Sequence, residues 1–108
     1  MINLKEVFEV LPEKWVCDPA HYPALAVLKN TPFANDFKRK HALLHLIKQL
    51  GKIETMEEKI DHGAREAFDE ELVVECLAKS IINCMQYARV SEINPEKIEK
   101  WISNFITK

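Results

Sequence analysis

The feature that most constrains the fold is a set of apolar residues, spaced three and four apart, that extends from Phe37 to Ile60. Such spacing places the apolar residues on one face of an α-helix. A second set runs from Leu72 to Ala88 and is expected to face the core, including its members Leu77, Ile81 and Cys84. The chain has only two glycines in 108 residues, which argues against a fold with many tight turns. The sequence therefore predicts two long helices.

Helix-capping signals predict three shorter helices around the long pair. Asn3, with a glutamate three positions later, predicts a first helix that Pro12 ends. A short helix is expected around residues 24–29, and Asn94-Pro95 predicts the start of the last helix. This last helix carries an apolar stripe that either completes the core or docks a partner helix. The stripe consists of Ile98, Trp101, Ile102, Phe105 and Ile106.

Together these elements predict an all-α fold with a single domain, residues 1–108. The expected architecture is an antiparallel helical bundle of four to five helices with two long central helices. Because a chain of this size cannot cover all the apolar surface of its long helices, a homodimer is expected. No apolar run reaches membrane-spanning length and no signal sequence is evident, so the expected location is cytoplasmic. The net charge of -2 gives no support for nucleic-acid binding.

Two histidines on the first long helix are candidate metal ligands. His41 and His45 lie four positions apart, so both imidazoles can face the same way. A zinc site would need a further ligand, such as Asp61, His62 or Glu75. The alternative is a packed histidine pair without metal.

Acidic residues near the end of the same helix are candidates for a different metal. Glu54, Glu57, Glu58 and Asp61 have the spacing that lets carboxylates on one helix share a hydrated Mg2+. Lysines are interleaved with them, and that alternation is typical of a solvated surface. Glu70, Glu71 and Glu75 on the second long helix could complete the site only if the two helices pack antiparallel with these turns level.

The stretch LLHLIKQLGKI, residues 43–53, resembles the first metal-binding helix of the MazG-like, all-alpha NTP pyrophosphohydrolase group. Residues 77–88 are similar to the second helix of that family, and the likeness covers residues 40–89. Gly51 fixes the alignment with the family. Inside a helix, glycine is less stable than alanine by about 1 kcal/mol. A glycine at such a position predicts close approach of another backbone. The resemblance implies a dimeric helical bundle in which acids hold Mg2+ against a nucleoside triphosphate while water attacks between the α and β phosphates.

The family's acidic ligands are replaced in this chain. By the resemblance, the family's glutamates fall on Lys48, Gln49 and Lys52, and its aspartate falls on Lys79. A cluster of ammonium groups can hold phosphate without metal, so the first hypothesis is a nucleotide-binding, anion-binding or interaction module that uses these lysines. The second is an active Mg2+-dependent nucleoside triphosphate pyrophosphohydrolase with ligands shifted to Glu54, Glu57, Glu58 and Glu75. The third is a purely structural module for protein–protein interaction.

Overall fold

The protein is an all-α bundle, as the sequence predicts. A computed structural model describes residues 3–11 and 22–107, and these ranges contain helices and no strand. The predicted stop of the first helix, Pro12, lies outside the described residues. The helices are α1 (Leu4–Val10), α2 (Pro23–Leu28), α3 (Phe33–Asp61), α4 (Glu70–Val90) and α5 (Pro95–Ile106), with a 3-10 turn at Arg65–Ala67.

The helix starts predicted at Asn3 and Asn94 are confirmed, and the second long helix begins in the same way at Asp69. The side chains of Asn3, Asp69 and Asn94 accept hydrogen bonds of 2.9, 3.2 and 2.9 Å from backbone amides two or three residues further on. Such bonds satisfy amides that have no partner within the first turn of a helix. The starts of α1, α4 and α5 are therefore set by local sequence.

The turn between the long helices is fixed by Gly63. Its φ of 102° lies in the left-handed region, its amide donates to the Ile60 carbonyl at 2.9 Å, and the Ala64 amide donates to Lys59 at 3.0 Å. This pair of bonds is a Schellman motif, in which glycine is the preferred left-handed residue. The motif ends α3, and after the 3-10 turn α4 packs back along it.

The core lies mainly between α3 and α4, which form the most extensive contact in the described chain. The buried positions recur at helical spacing and several of them are polar. The buried polar side chains of Ser80 and Asn83 are hydrogen-bonded, because they donate to backbone carbonyls one turn earlier at 2.7 and 2.8 Å. α2 adds Leu25 against Ala42, and α1 contacts α4 and α5. The buried residues of the two long helices are Ala42, Gln49 and Met56 on α3, with Cys76, Ser80, Asn83, Met85, Gln86 and Ala88 on α4.

Two expectations about packing are wrong. A Cβ built on Gly51 would meet no atom of the described residues within 4 Å, so this glycine does not mark a close backbone approach. The stripe on α5 does not complete the core either, because Trp101 and Phe105 are each 70% exposed. Their rings stack on each other instead, with centroids 6.1 Å apart. α5 is short and borders α1, so its outer side has no neighbouring helix among the described residues.

Candidate functional site

The α3–α4 hairpin has two broad faces, and helical geometry decides which residues each face carries. Successive residues in an α-helix are rotated by about 100°. When two antiparallel helices bury facing sides, residues directly after buried positions fall on one broad face and residues directly before them fall on the other. On α3, Leu50 follows buried Gln49 and Lys48 precedes it. On α4, Ile81 follows buried Ser80 and Lys79 precedes it.

The first of these faces is apolar and exposed. Its large side chains are each between 41% and 60% exposed, which is unusual for aliphatic residues at the centre of long helices. We call it the apolar face; it consists of Leu43, Ile47 and Leu50 from α3 and Val74, Leu77 and Ile81 from α4.

Sequence reasoning placed part of this face in the core, and that expectation is wrong. Leu77, Ile81 and Cys84 are exposed, whereas the row containing Cys76, Ser80 and Asn83 is buried against α3. Hydrophobicity alone had indicated that the more apolar row, which contains Leu77 and Ile81, would be buried. The signal that could have identified the face is the spacing of Val74, Leu77, Ile81 and Cys84, a repeat of three and four residues beside the buried row.

The opposite, polar face brings together two of the three predicted anion-binding lysines. Nζ of Lys79 lies 2.9 Å from Oε1 of Glu75. The hydrogen bond and charge of Lys79, with a further contribution from the charge of Lys52, lower the pKa of Glu75. Lys79 therefore pairs directly with the Glu75 carboxylate and Lys52 is near enough for its charge to act on it, so two positive charges face one negative charge.

The remaining replaced positions differ in exposure. Lys48 is exposed one helical turn before Lys52 on the polar face, whereas Gln49 is 5% exposed and lies between α3 and α4. Oε1 of Gln49 has no hydrogen-bond partner among the described residues. Gln49 therefore contributes to the interior of the hairpin, and Lys48 is available to a ligand in solvent.

The predicted carboxylate cluster is divided by the structure. Glu54, Glu57 and Glu58 line one open depression together with Asp61, and Arg65 borders the same depression. Glu75 is not among its lining residues and pairs with Lys79 instead. In the described part of the chain, no three His, Cys, Asp or Glu side chains converge in a way that could hold a metal ion. The magnesium site stays a prediction.

The two candidate histidines form part of an aromatic cluster near the start of α3. The ring centroids of His41 and His45 are 4.4 Å apart. Tyr22 approaches His41 edge-on at 4.7 Å, and Phe37 stacks parallel to His41 at 6.2 Å. Burial and the neighbouring His45 charge lower the pKa of His41. His62, Asp61 and Glu75, the proposed further ligands, do not converge on this pair.

Comparisons of the chain with protein-family models, with curated proteins and with solved structures found no match. Within residues 3–11 and 22–107, none of the helices combines the length and apolarity needed to cross a membrane. The geometry of the two faces is therefore the basis for inferring function.

Proposed function

We propose that this chain is a MazG-like helical module that assembles as a homodimer through its apolar face and binds a phosphorylated ligand, or a nucleotide, on its polar face. The observation that carries the proposal is the row of half-exposed aliphatic side chains along the middle of the hairpin. Exposed contiguous apolar surface of this kind marks an interaction site in a protein. The likeness to the MazG-like group supports the same assembly, because that family implies a dimeric bundle.

The dimensions of the chain support an incomplete bundle. The Cα radius of gyration is 16.7 Å, whereas a compact domain of this length has a radius near about 13 Å. The excess indicates that the hairpin extends beyond the core that one chain can build. A second hairpin laid on the apolar face would complete a four-helix arrangement.

Charges at the ends of the apolar row support a second copy of this chain as the partner. Leu43, Ile47 and Leu50 belong to one row of α3 in which Lys40 precedes and Glu54 follows, each seven positions from Ile47. In a two-fold dimer the same surface meets itself. If two α3 helices cross antiparallel at Ile47, Lys40 of each chain lies opposite Glu54 of the other.

The first test replaces the centre of the apolar face. In the proposed dimer, Ile47→Lys places a positive charge from each chain near the two-fold axis, and Ile81→Lys places a positive charge on the neighbouring helix of the same face. Both variants are expected to be monomers by light scattering. The matched control is Val27→Lys, because Val27 is 80% exposed and belongs to α2 instead of the hairpin. Dimers that persist in both face variants, with helicity unchanged, would end the proposal.

A charge exchange tests the register. Lys40→Glu alone is expected to weaken the dimer, and adding Glu54→Lys should restore it, because each exposed pair contributes about 0.2–1 kcal/mol. The same exchange applied to the Arg39–Asp36 pair, which is satisfied within α3 at 2.9 Å, serves as the control and should leave dimerisation unchanged. Failure of the double variant to restore association would contradict an antiparallel crossing at Ile47.

The ligand-binding part of the proposal rests on the Lys52–Glu75–Lys79 arrangement. Two ammonium groups near one carboxylate leave a local positive charge that an anion can neutralise, and Lys48 one turn away can add a third donor. Phosphate oxygens suit such donors because each lysine offers three N–H groups. The expected ligand is a small phosphorylated molecule such as a nucleotide.

Calorimetry with ATP in the presence of EDTA tests this ligand site. Binding is expected in the wild type and should weaken strongly in Lys52→Met/Lys79→Met, because removing both cations leaves Glu75 to repel phosphate. Lys59→Met, an exposed lysine in the last turn of α3, is the control. Equal binding by both variants, or no binding by the wild type, would remove this part of the proposal while leaving the dimer unaffected.

An active pyrophosphohydrolase stays the alternative, and the shared depression of Glu54, Glu57 and Glu58 is the observation that favours it. Mg2+ keeps several of its waters and needs only one or two carboxylates as direct ligands, which the acids of this depression can supply. The alternative predicts Mg2+-dependent release of pyrophosphate from nucleoside triphosphates that Glu57→Gln abolishes. Release that is unaffected by Glu57→Gln would exclude these acids as the site.

A further inference from the structure

The aromatic cluster at the start of α3 contains a feature that the proposed function does not use. His41 and His45 are one helical turn apart, and their rings lie side by side with centroids separated by 4.4 Å and planes tilted by 56°. Both residues are half-buried. Histidines four positions apart on one helix face can both reach one ion.

The ring separation fits chelation at a right angle. With metal–nitrogen distances near about 2.0–2.1 Å, the centre of a bound imidazole lies about 3.2 Å from the metal. Two such rings at adjacent positions of a square or an octahedron have centres about 4.5 Å apart, close to the observed 4.4 Å. Tetragonal and octahedral geometries with nitrogen ligands are characteristic of Ni2+ and Cu2+.

Aromatic neighbours surround one member of the pair, His41. The Tyr22 ring approaches the His41 ring edge-on at 4.7 Å and the Phe37 ring lies nearly parallel to it at 6.2 Å, which limits the rotation of His41. Less conformational entropy is then lost on binding than for two mobile side chains.

We propose that His41 and His45 form a two-imidazole chelate for a first-row transition-metal ion of the Ni2+ or Cu2+ type, with water completing the coordination sphere. Within the described residues the site has two protein ligands, because no third His, Cys, Asp or Glu side chain converges on it. It differs from the magnesium hypothesis in ligand chemistry, since imidazole suits these ions and Mg2+ prefers oxygen. The inference does not depend on dimerisation or on anion binding.

Titration of the full chain with Ni2+ tests the site, and Ni2+ is chosen because it does not oxidise the exposed thiol of Cys84. One equivalent of Ni2+ per chain is expected to bind in the wild type. His41→Gln and His45→Gln should each weaken binding by on the order of tenfold or more, because a single imidazole loses the gain from a linked second ligand. His62→Gln, at the far end of α3 and exposed, is the matched control and should bind like the wild type.

A second measurement keeps the test decisive if His41→Gln is unstable. Ni2+ that bridges two turns of a folded helix binds the native state better than the unfolded chain, so it should raise the thermal unfolding midpoint. The rise in unfolding midpoint is expected in the wild type and in His62→Gln, and it should be absent in His45→Gln. Replacing His45 disturbs little else, because among the aromatic pairs of the described residues its ring contacts only His41. Equal binding or an equal shift in His45→Gln would overturn the proposal, as would the absence of both in the wild type.

Discussion

At the scale of single residues, Gly51 is the position where a substitution should help the fold. It lies within α3, and a side chain there would meet no described atom within 4 Å. Gly51→Ala is expected to raise the free energy of unfolding by about 1 kcal/mol, because alanine loses less backbone entropy in a helix. Chemical denaturation at a fixed protein concentration measures the change.

Gly63 provides the control for this substitution, because the same change should have the opposite sign there. Its φ of 102° is strained for any residue with a Cβ, so Gly63→Ala is expected to destabilise the turn after α3. A loss of stability in Gly51→Ala would contradict the open surroundings seen at that position and would point to a backbone that approaches it in the assembled protein.

His41 is the residue that should make stability depend on pH. Burial, followed by the charge of His45, lowers its pKa from 6.5, so the unfolded chain binds more protons than the folded chain near and below that pH. The contribution of His41 to stability is therefore present above pH 6.5 and is lost as the pH falls through the lowered pKa. Denaturation midpoints measured across this window should fall less steeply in His41→Gln than in the wild type. Parallel slopes would show that His41 titrates alike in both states.

At the scale of elements, the end of α4 carries an avoidable strain. Glu92 has a φ of 57°, and the Glu92 and Ile93 amides donate to the carbonyls of Arg89 and Ala88 at 3.1 and 2.9 Å. This is a Schellman motif with glutamate at the position that glycine prefers. Glu92→Gly is expected to stabilise the protein by about 1 kcal/mol, as judged by thermal or chemical denaturation.

The same substitution within α5 provides the comparison. Glu99 is exposed in the interior of that helix, where glycine costs about 1 kcal/mol relative to alanine, so Glu99→Gly should destabilise. If both changes destabilise to a similar extent, the left-handed conformation of Glu92 is not the source of strain.

The elements also show how far sequence alone could go. The starts of α1, α4 and α5 and the stop of α3 at Gly63 were predictable, because capping residues and a left-handed glycine act within a few positions of the chain. The buried side of α4 was not predictable from hydrophobicity. Its buried row contains Ser80 and Asn83, which satisfy their polar groups within the helix, while the more apolar row that includes Leu77 stays exposed.

The lysines of the candidate site could be placed on two helices from the sequence. In the structure Lys79 pairs with Glu75, and the charge of Lys52 adds to the lowering of the Glu75 pKa. The role of Glu75 in that cluster could not be foreseen, because it depends on the level at which the two helices meet. The ring contacts of Tyr22 with His41 likewise depend on how α2 packs on α3.

At the scale of the whole molecule, the two faces of one hairpin divide the proposed roles. The apolar face offers aliphatic surface that one chain leaves half-exposed, and the polar face offers cations around a single carboxylate. Dimerisation through the first face would leave the second on the outside of the assembly. A ligand bound on the polar face would therefore not need the dimer to open.

The proposed homodimer is tested most directly by the mass of the wild-type protein in solution. Light scattering during size-exclusion chromatography, repeated over a range of loading concentrations, should give twice the 12.6 kDa of the chain. This mass is expected to persist at low concentration, because burial of the apolar face stabilises the dimer. A mass of 12.6 kDa at every concentration would contradict it.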